Sequence, residues 1–250
     1  MKSSFNVSEC IITYLSHRIQ SSISANLLPL RQERGTKAMD KSTIKHIYRI
    51  THLDNIPHIL KYGIESPHNY NNTSEYIAIG DKSLIECRND YEVTVNGKNI
   101  TLGDFIPFYF GFRMPMLYSI QHGYNNVPKA VPPDEIVYLA CHISDFVDKK
   151  FLFYFSDGHG TNRLSKFYGI DSINDINKIV DTTAVWSAIW SGETIDRDLK
   201  RRKQAEFIVG QNIPPDMIRY FGCYNEQVKQ KLLSFDIKEE QIFVTPEAYY

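Results

Sequence analysis

Apolar residues come in short runs along most of the chain, and each run has the length of a β-strand or of one face of a short helix. The run HIYRITHL (46–53) is rich in β-branched and aromatic residues and predicts a strand. DNIPHILKYGI (54–64) follows it and predicts a helix, because Asp54 can cap its start, a proline stands in its first turn and Gly63 can end it.

The same pattern predicts further strands with few helices between them. The stretch 65–104 is rich in Asn, Ser, Gly and charged residues, and we expect a long excursion over the surface there. Strands that do not alternate regularly with helices indicate an α+β fold rather than a doubly wound parallel sheet. The predicted strands are FIPFYFGF (105–112), EIVYLAC (135–141), FLFYFS (151–156), AEFIVG (205–210) and QIFVT (241–245), and the predicted helices are MPMLYSIQHG (114–123), NDINKIVD (174–181) and NEQVKQKLLSF (225–235).

Residues 1–45 are polar and serine-rich with a weak helical pattern, so we interpret them as an N-terminal extension of a domain at 46–250. The formal charge is −1, which means that a polyanionic partner must be held by a local patch rather than by the whole molecule. The four cysteines lie far apart without a CxxC pair, which is typical of reduced thiols. No signal-peptide core and no membrane-length apolar run occurs, so we expect a cytoplasmic protein.

Several common catalytic motifs are absent, including glycine-rich dinucleotide and phosphate loops, HExxH and GxSxG. Four polar residues beside apolar runs remain as candidates. His52 ends a predicted strand, where a histidine is more often a simple hydrogen-bonding group, and Arg113 follows FYFGF, where it is either solvated or bound to an anion. His159 lies between glycines in SDGHG and fits a turn as well as a site. Glu206 begins an apolar strand, where a carboxylate is costly unless it is paired or catalytic.

Five blocks occur in order along the chain: IYRITHLDNIPHILKYGI, IPFYFGFRMPMLYSIQHG, EIVYLACHI, FYFSDGHG and QAEFIV. Together, from about His46 to the YNEQVKQKL helix, they resemble the DarT family of DNA ADP-ribosyltransferase toxins. The resemblance implies an ADP-ribosyltransferase fold, a split and strongly bent β-sandwich with surrounding helices and a central NAD cleft. It also implies transfer of ADP-ribose from NAD onto a base of single-stranded DNA, with thymidine as the expected base, release of nicotinamide, no metal, and control by a macrodomain antitoxin of the DarG type.

The resemblance further implies roles for individual residues. Glu206 matches the catalytic glutamate, which accepts a hydrogen bond from the ribose 2′-hydroxyl and stabilises the charge that develops at C1′. Arg113 matches an arginine of thymidine-modifying members and would favour the deprotonated base, while His159 would orient base or phosphate. NAD would be held by Thr51, His52, Asn55, Gly63, Tyr109, Phe110 and Tyr118, with core packing as the alternative for at least one of the aromatic residues.

A basic cluster, Lys200–Lys203, directly precedes the strand of Glu206, in the region that ADP-ribosyltransferases use to select substrates. It predicts contacts with DNA phosphates, and a solvated loop is the alternative. Trp186, Trp190 and Tyr168 offer faces for base stacking, although core burial fits both tryptophans equally well. The predicted DNA-binding residues are Arg163, Lys166, Lys200, Arg201, Arg202 and Lys203.

Two other functions stay open at this point. One keeps the fold and NAD but uses guanosine in DNA, RNA or protein as the acceptor. The other is a nucleic-acid-binding module whose transferase site has decayed, which the presence of His52, Arg113 and Glu206 disfavours.

Overall fold

The computed structural model describes residues 42–66 and 76–250. Within this part of the chain there are ten strands, and most helices are short. The strands are β1 (His46–His52), β2 (Glu92–Val95), β3 (Lys98–Thr101), β4 (Ile106–Tyr109), β5 (Ile136–His142), β6 (Phe153–Ser156), β7 (Phe167–Tyr168), β8 (Glu206–Val209), β9 (Ile218–Cys223) and β10 (Ile242–Val244). The helices are α1 (Ile56–Tyr62), α2 (Lys82–Asn89), α3 (Pro115–His122), α4 (Ile143–Asp148), α5 (Ile176–Ile179), α6 (Thr182–Val185), α7 (Leu199–Lys203) and α8 (Glu226–Leu233).

Eight of the described strands form one sheet in the order β10-β9-β5-β1-β4-β8-β6-β7, and β2 pairs with β3 in a separate hairpin. Neighbouring strands of the sheet are antiparallel except β9 and β10. The sheet is nearly divided in its middle, because β1 and β4 pair only at Tyr48 and Tyr109, whereas β1 and β5 share seven register pairs. Across this split, Arg49 Nη1 donates a hydrogen bond to the Pro107 carbonyl at 2.9 Å. The two halves therefore diverge and leave a cleft between β1 and β4.

Both faces of the sheet are buried, which explains the continuous apolar sequence of its central strand. Along β5, Val137 and Leu139 belong to the largest core cluster, whereas Tyr138 and Ala140 belong to a second cluster on the opposite face. Successive side chains of a strand point to opposite faces, so a strand covered on both sides is apolar at every position.

Most predicted elements are present in the structure, with ends shifted by a few residues. Gly63 ends α1 as predicted, but Asp54 does not cap it: a short 3-10 turn intervenes, and the His52 ring caps this turn instead. Strand β9 was not predicted. Ile44, just before the expected start of the domain, is already buried, and its N–H donates to Asn177 Oδ1 at 2.7 Å. The rest of the expected extension, residues 1–41, lies outside the described residues.

The prediction for 65–104 missed the secondary structure of its described part, which contains α2 and the β2–β3 hairpin. Helix α2 buries none of its residues, so it lacks the apolar stripe by which a helix is usually identified. Its one local signal is Asp81, whose carboxylate accepts hydrogen bonds from the backbone N–H groups of Ser83 and Leu84 at 2.9 and 3.2 Å.

A pair of histidines across β1 and β5 predicts that the protein loses stability in mild acid. His46 Nε2 lies 2.9 Å from His142 Nε2. Burial, together with His142 and Lys45, lowers the pKa of His46 from 6.5 to about 4. Between these two pH values the unfolded chain binds the proton more readily than the folded chain. The free energy of unfolding is therefore unaffected by His46 above pH 6.5 and decreases as the pH falls toward 4. Because the ring is partly exposed, we expect the free energy of unfolding to decrease by roughly 1–2 kcal/mol over this pH range.

Urea unfolding measured between neutral and mildly acidic pH checks this prediction. His46→Asn, which removes the titrating group, is expected to show a shallower fall of the unfolding free energy with pH. Equal pH dependence of variant and wild type would contradict it.

Candidate active site

A cleft of about 190 Å³ lies where β1 and β4 separate. Its walls combine apolar side chains with a few polar groups, as in many small-molecule sites. Strand residues from both halves of the sheet meet there with α2 and with the segment that precedes it. The lining includes Arg49, Ile50, Thr51, Tyr76, Ile77, Ile79, Asp81, Arg88, Pro107, Tyr109, Met116, Ile120 and Glu206.

Glu206 begins β8 at the edge of this cleft and is only 1% exposed. Its Oε2 lies 2.8 Å from Arg88 Nη1, and its Oε1 accepts a hydrogen bond from the Gly160 N–H at 2.9 Å. Its own N–H donates to Ser156 Oγ at 3.1 Å. Both carboxylate oxygens are therefore satisfied, as a buried charge requires.

Arg88 is the residue of this site that the sequence did not indicate. It lies near the end of α2, 118 positions before Glu206, in the stretch predicted to be a surface excursion. Its Nη1 pairs with Glu206, whereas its Nη2 is buried and has no hydrogen-bond partner among the described residues. One guanidinium nitrogen thus holds the carboxylate, and the other retains donor capacity beside it.

His159 and Gly160 approach Glu206 from the loop after β6. A Cβ on Gly160 would lie 2.9 Å from Glu206 Oε2 and 3.1 Å from Arg88 Nη1, so this close approach requires glycine. His159 Nδ1 lies 3.1 Å from Thr161 Oγ1. Burial lowers the pKa of His159 against the opposing effect of the Glu206 carboxylate, so the imidazole is neutral at neutral pH.

Two of the predicted NAD residues, Thr51 and Tyr109, line the cleft. Tyr109 is the register partner of Glu206, and burial together with this carboxylate raises the pKa of its hydroxyl, which stays protonated. Phe110 requires a correction: it is 1% exposed and packs against Phe207 in the core. As the residue after Tyr109, it points toward the opposite face and has no exposed ring for nicotinamide.

Three other residues predicted to bind NAD have structural contacts, and their roles in NAD binding stay predictions. Asn55 is buried and bonds the backbone of Ile77 through both ends of its amide, at 2.8 Å each, which holds a cleft-lining residue in place. Both ring nitrogens of His52 have neighbours, the Asp54 N–H at 3.1 Å and Glu135 Oε2 at 3.3 Å. At Gly63, φ is 82° and a Cβ would lie 2.0 Å from the Ile213 carbonyl oxygen, so close backbone packing explains this glycine.

Arg113 and Tyr118 are not among the residues that line the cleft with Glu206. The Arg113 guanidinium lies 4.4 Å from the centre of the Tyr250 ring, and its Nε is buried without a hydrogen-bond partner among the described residues. Tyr118 contacts the same Tyr250 ring edge-on, with ring centres 5.0 Å apart. Both residues thus lie beside the last residue of the chain, and their predicted roles in base and nicotinamide binding stay predictions.

The predicted basic cluster is largely neutralised. Arg201 pairs with Asp157 and Asp198, and Arg202 pairs with Asp181, Asp196 and Asp198. Lys203 is 3% exposed and donates to the carbonyl oxygens of Phe112 and Val185 at 3.2 and 2.9 Å, while burial and the nearby Arg113 charge lower its pKa to about 8. The contacts of Arg201 and Arg202 neutralise their charges, and Lys203 is buried, so of the predicted DNA-binding residues Lys203 requires a correction, while the role of the two arginines stays a prediction. Lys200 remains exposed, as do Arg163 and Lys166.

The described residues contain no group of three or more His, Cys, Asp or Glu side chains arranged to hold a metal ion. In the same part of the chain, no helix has the length and apolar character needed to cross a bilayer. Cys87, Cys141 and Cys223 are free thiols, and Cys10 lies outside the described residues.

Residues 48–250 match the family model described as ssDNA thymidine ADP-ribosyltransferase, DarT. The chain is 32% identical to a DNA ADP-ribosyl transferase of Escherichia coli O127:H6 over 186 residues, which covers 74% of this chain and 83% of that protein. It is 24% identical over 196 residues to a DNA ADP-ribosyl transferase-DNA ADP-ribosyl glycohydrolase fusion protein of Thermosipho africanus, which covers 75% of this chain and 45% of the fusion protein.

Two solved structures of Thermus sp. 2.9 DarT have a similar fold. The complex with ADP-ribosylated ssDNA matches with a TM-score of 0.72 at 24% identity, over 83% of this chain and 97% of that chain. The complex with NAD⁺ matches with a TM-score of 0.67 at 23% identity, over 83% and 98% of the two chains. The predicted α+β fold of the ADP-ribosyltransferase type is thereby confirmed. Because the family match spans the sheet, the cleft and Glu206, the chain belongs to the DarT family of single-stranded DNA thymidine ADP-ribosyltransferases.

Proposed function

We propose that Glu206, Arg88 and His159 together perform the reaction of this family, the transfer of ADP-ribose from NAD onto thymidine in single-stranded DNA. The observation that carries this assignment is the buried Glu206 carboxylate, held by Arg88 and by the Gly160 N–H beside the cleft. A group with so many preorganised contacts can stabilise developing charge without reorganising during the reaction.

The cleft residues suit the nicotinamide riboside end of NAD. Ile50, Met116 and Ile120 form apolar walls for a flat ring. The hydroxyls of Thr51 and Tyr109 suit sugar hydroxyls, because each can donate and accept a hydrogen bond. Asn55 and His52 contribute indirectly, by holding the segment and the turn that border this region.

Glu206 acts on the ribose in this scheme. Its carboxylate accepts a hydrogen bond from the 2′-hydroxyl and stabilises the positive charge that grows on C1′ as the bond to nicotinamide breaks. The bonding electron pair leaves with nicotinamide, which departs as a neutral molecule. The charge of Glu206 is useful only while C1′ is cationic, so the interaction favours the transition state over bound NAD.

Arg88 acts on both Glu206 and the base. Nη1 orients the carboxylate, and Nη2 is a buried donor without a partner among the described residues. A guanidinium donor beside a thymine carbonyl favours the N3 anion, which is the nucleophile that forms the new bond to C1′. The sequence resemblance assigned this task to Arg113, but Arg88 is the arginine that contacts Glu206.

His159 accepts the proton that thymine N3 loses. Its imidazole is neutral because burial lowers its pKa, and it lies on the loop that contacts Glu206. All bonds and protons of the transfer are then accounted for. The C1′–nicotinamide bond breaks, the C1′–N3 bond forms, and the N3 proton passes to the imidazole and on to solvent.

Mass spectrometry of oligonucleotides after incubation with NAD tests the proposed function. Single-stranded oligonucleotides that contain thymidine should gain one ADP-ribose unit, whereas matched oligonucleotides with every thymidine replaced should not. Modification of guanine-only oligonucleotides would support the alternative acceptor, and no adduct on any oligonucleotide would contradict the transfer activity.

The role of His159 predicts a pH dependence. Since the lowered pKa keeps the imidazole neutral above about pH 6.5, kcat is expected to be flat at neutral pH and to fall as acid protonates His159. Burial is the largest cause of the lowered pKa, and the Arg88 and Lys200 charges add to it, whereas the Glu206 carboxylate favours the protonated ring. His159→Gln should lower kcat roughly 10²-fold and remove the acidic limb. An unchanged acidic limb in the variant would assign the titration to another group.

The biological setting follows from the same chemistry. The Thermosipho relative joins a DNA ADP-ribosyl transferase to a DNA ADP-ribosyl glycohydrolase in one chain. ADP-ribose on thymine N3 blocks the edge that pairs with adenine, so the modification is toxic unless it is removed, and this chain acts as a toxin with a macrodomain antitoxin of the DarG type as its partner. We assign it to the cytoplasm, where NAD and DNA are available and free thiols persist.

A further inference from the structure

We propose that a surface cluster of aromatic rings, on the side of α3 that faces away from the cleft, binds the nucleotides that flank the modified base. This aromatic patch consists of Tyr118, His122, Tyr124, Trp190 and Tyr250. The assignment of its ligand as single-stranded DNA rests on the proposed function.

The rings of the patch form one connected group around Tyr118. Its ring centre lies 4.1 Å from that of His122, 5.0 Å from that of Tyr250 and 5.9 Å from that of Trp190. His122 and Tyr124 stack with an interplanar angle of 19°. Tyr124 is 43% exposed and His122 is also exposed, so ring surface remains available to a ligand.

Tyr250 fixes the arrangement of the patch. Its hydroxyl accepts a hydrogen bond from Trp190 Nε1 at 2.7 Å and donates one to the Arg113 carbonyl. Its backbone N–H and carbonyl both bond the Gln121 side chain, at 3.0 and 3.3 Å. These contacts hold the loop of Trp190 against α3, which gives the rings a preformed arrangement before any ligand binds.

Two cations lie over the rings. Arg113 stacks on Tyr250, and Lys200 Nζ lies 5.2 Å from the centre of the Trp190 ring. No carboxylate among the described residues forms an ion pair with either side chain, in contrast to Arg201 and Arg202 nearby. The patch therefore combines stacking surfaces with uncompensated positive charge, the two properties that single-stranded nucleic acids require of a binding surface.

Helix α3 contributes residues both to the cleft and to the patch. Met116 and Ile120 of α3 line the cleft, while Tyr118 and His122 of the same helix belong to the patch, so the two sites are separated by about one helix diameter. Lys200 belongs to α7, which ends three residues before Glu206. A strand whose thymine enters the cleft can thus place a neighbouring nucleotide on the patch.

Tryptophan fluorescence gives a direct test, since the protein has two tryptophans. Trp190 is in the patch, whereas Trp186 packs against Tyr48 and Phe112. In the absence of NAD, titration with a short single-stranded oligonucleotide should quench the tryptophan fluorescence of the wild-type protein. Trp190→Phe should lose this quenching. The duplex of the same sequence should quench much less, because it carries the same phosphates but hides the base faces.

Affinity measurements separate stacking from general damage. Tyr124→Ala and Trp190→Ala should each weaken single-strand binding roughly five- to a hundredfold. The matched control is Tyr62→Ala, which removes a ring of similar exposure, 45%, from α1 and should bind like the wild type. Arg113→Ala should reduce the dependence of affinity on salt concentration.

The possible outcomes are distinct. Equal affinity of Tyr124→Ala, Trp190→Ala and wild type, or quenching by a macrodomain partner but not by single-stranded DNA, would overturn the proposal. If the oligonucleotide quenches the fluorescence and the two alanine variants bind it more weakly, but no ADP-ribose adduct forms, DNA binding by the patch is supported and the proposed reaction is refuted.

Discussion

Glu206→Gln is expected to lower kcat for ADP-ribose transfer by about 10²–10³-fold, the usual effect of losing one preorganised partner of a transition-state charge. The amide oxygen can still accept from the Gly160 N–H and the side chain keeps its volume, whereas the amide NH2 cannot replace the carboxylate oxygen that pairs with Arg88. Because the lost interaction operates mainly when C1′ is cationic, kcat should fall while the affinity for NAD changes little. Initial rates on a thymidine oligonucleotide, together with calorimetric titration of NAD, measure the two quantities.

Glu206→Ala serves as the contrasting variant. It removes both hydrogen bonds of the carboxylate and leaves the buried Arg88 guanidinium without its partner. Breaking one side of a buried ion pair typically costs roughly 3–5 kcal/mol of folding free energy, so this variant should also be less stable. Wild-type turnover in the glutamine variant would refute the assigned role of Glu206.

The second large effect is expected for Arg88→Ala. This change removes the guanidinium that orients Glu206 and the donor proposed to act on the base, so kcat should fall at least about 10²-fold. Arg88→Lys should rescue little, because an ammonium cannot bond the carboxylate and the base with two edges of one planar group.

Arg113→Ala provides the comparison that decides between the two arginines. If Arg113 contacts flanking phosphates from its position on Tyr250, its loss should raise KM for the oligonucleotide and leave kcat nearly unchanged. The opposite result, with kcat lost in Arg113→Ala and retained in Arg88→Ala, would show that Arg113 and not Arg88 activates the base. Arg219→Ala, which removes an exposed ion pair with Asp145 in another part of the sheet, controls for general loss of charge.

Local patterns determined most of the secondary structure and one catalytic candidate. The strands were predictable because short apolar runs rich in β-branched and aromatic residues have the length of a strand, and α1 because proline and Gly63 restrict its two ends. Glu206 was predictable because a carboxylate at the start of a fully apolar strand needs a compensating partner. None of these inferences required knowledge of distant residues.

Only the tertiary structure decided which partners meet. The split between β1 and β4, which creates the cleft, depends on pairing between strands that are far apart in sequence. Arg88 reaches Glu206 across 118 positions from a helix without an apolar stripe, so no local pattern could indicate it. The ion pairs of the basic cluster could not be predicted for the same reason, since Asp157 and Asp181, which help to neutralise Arg201 and Arg202, come from other loops. Periodicity specifies elements, whereas the compensation of buried charge is a property of contacts that form only when the chain has folded.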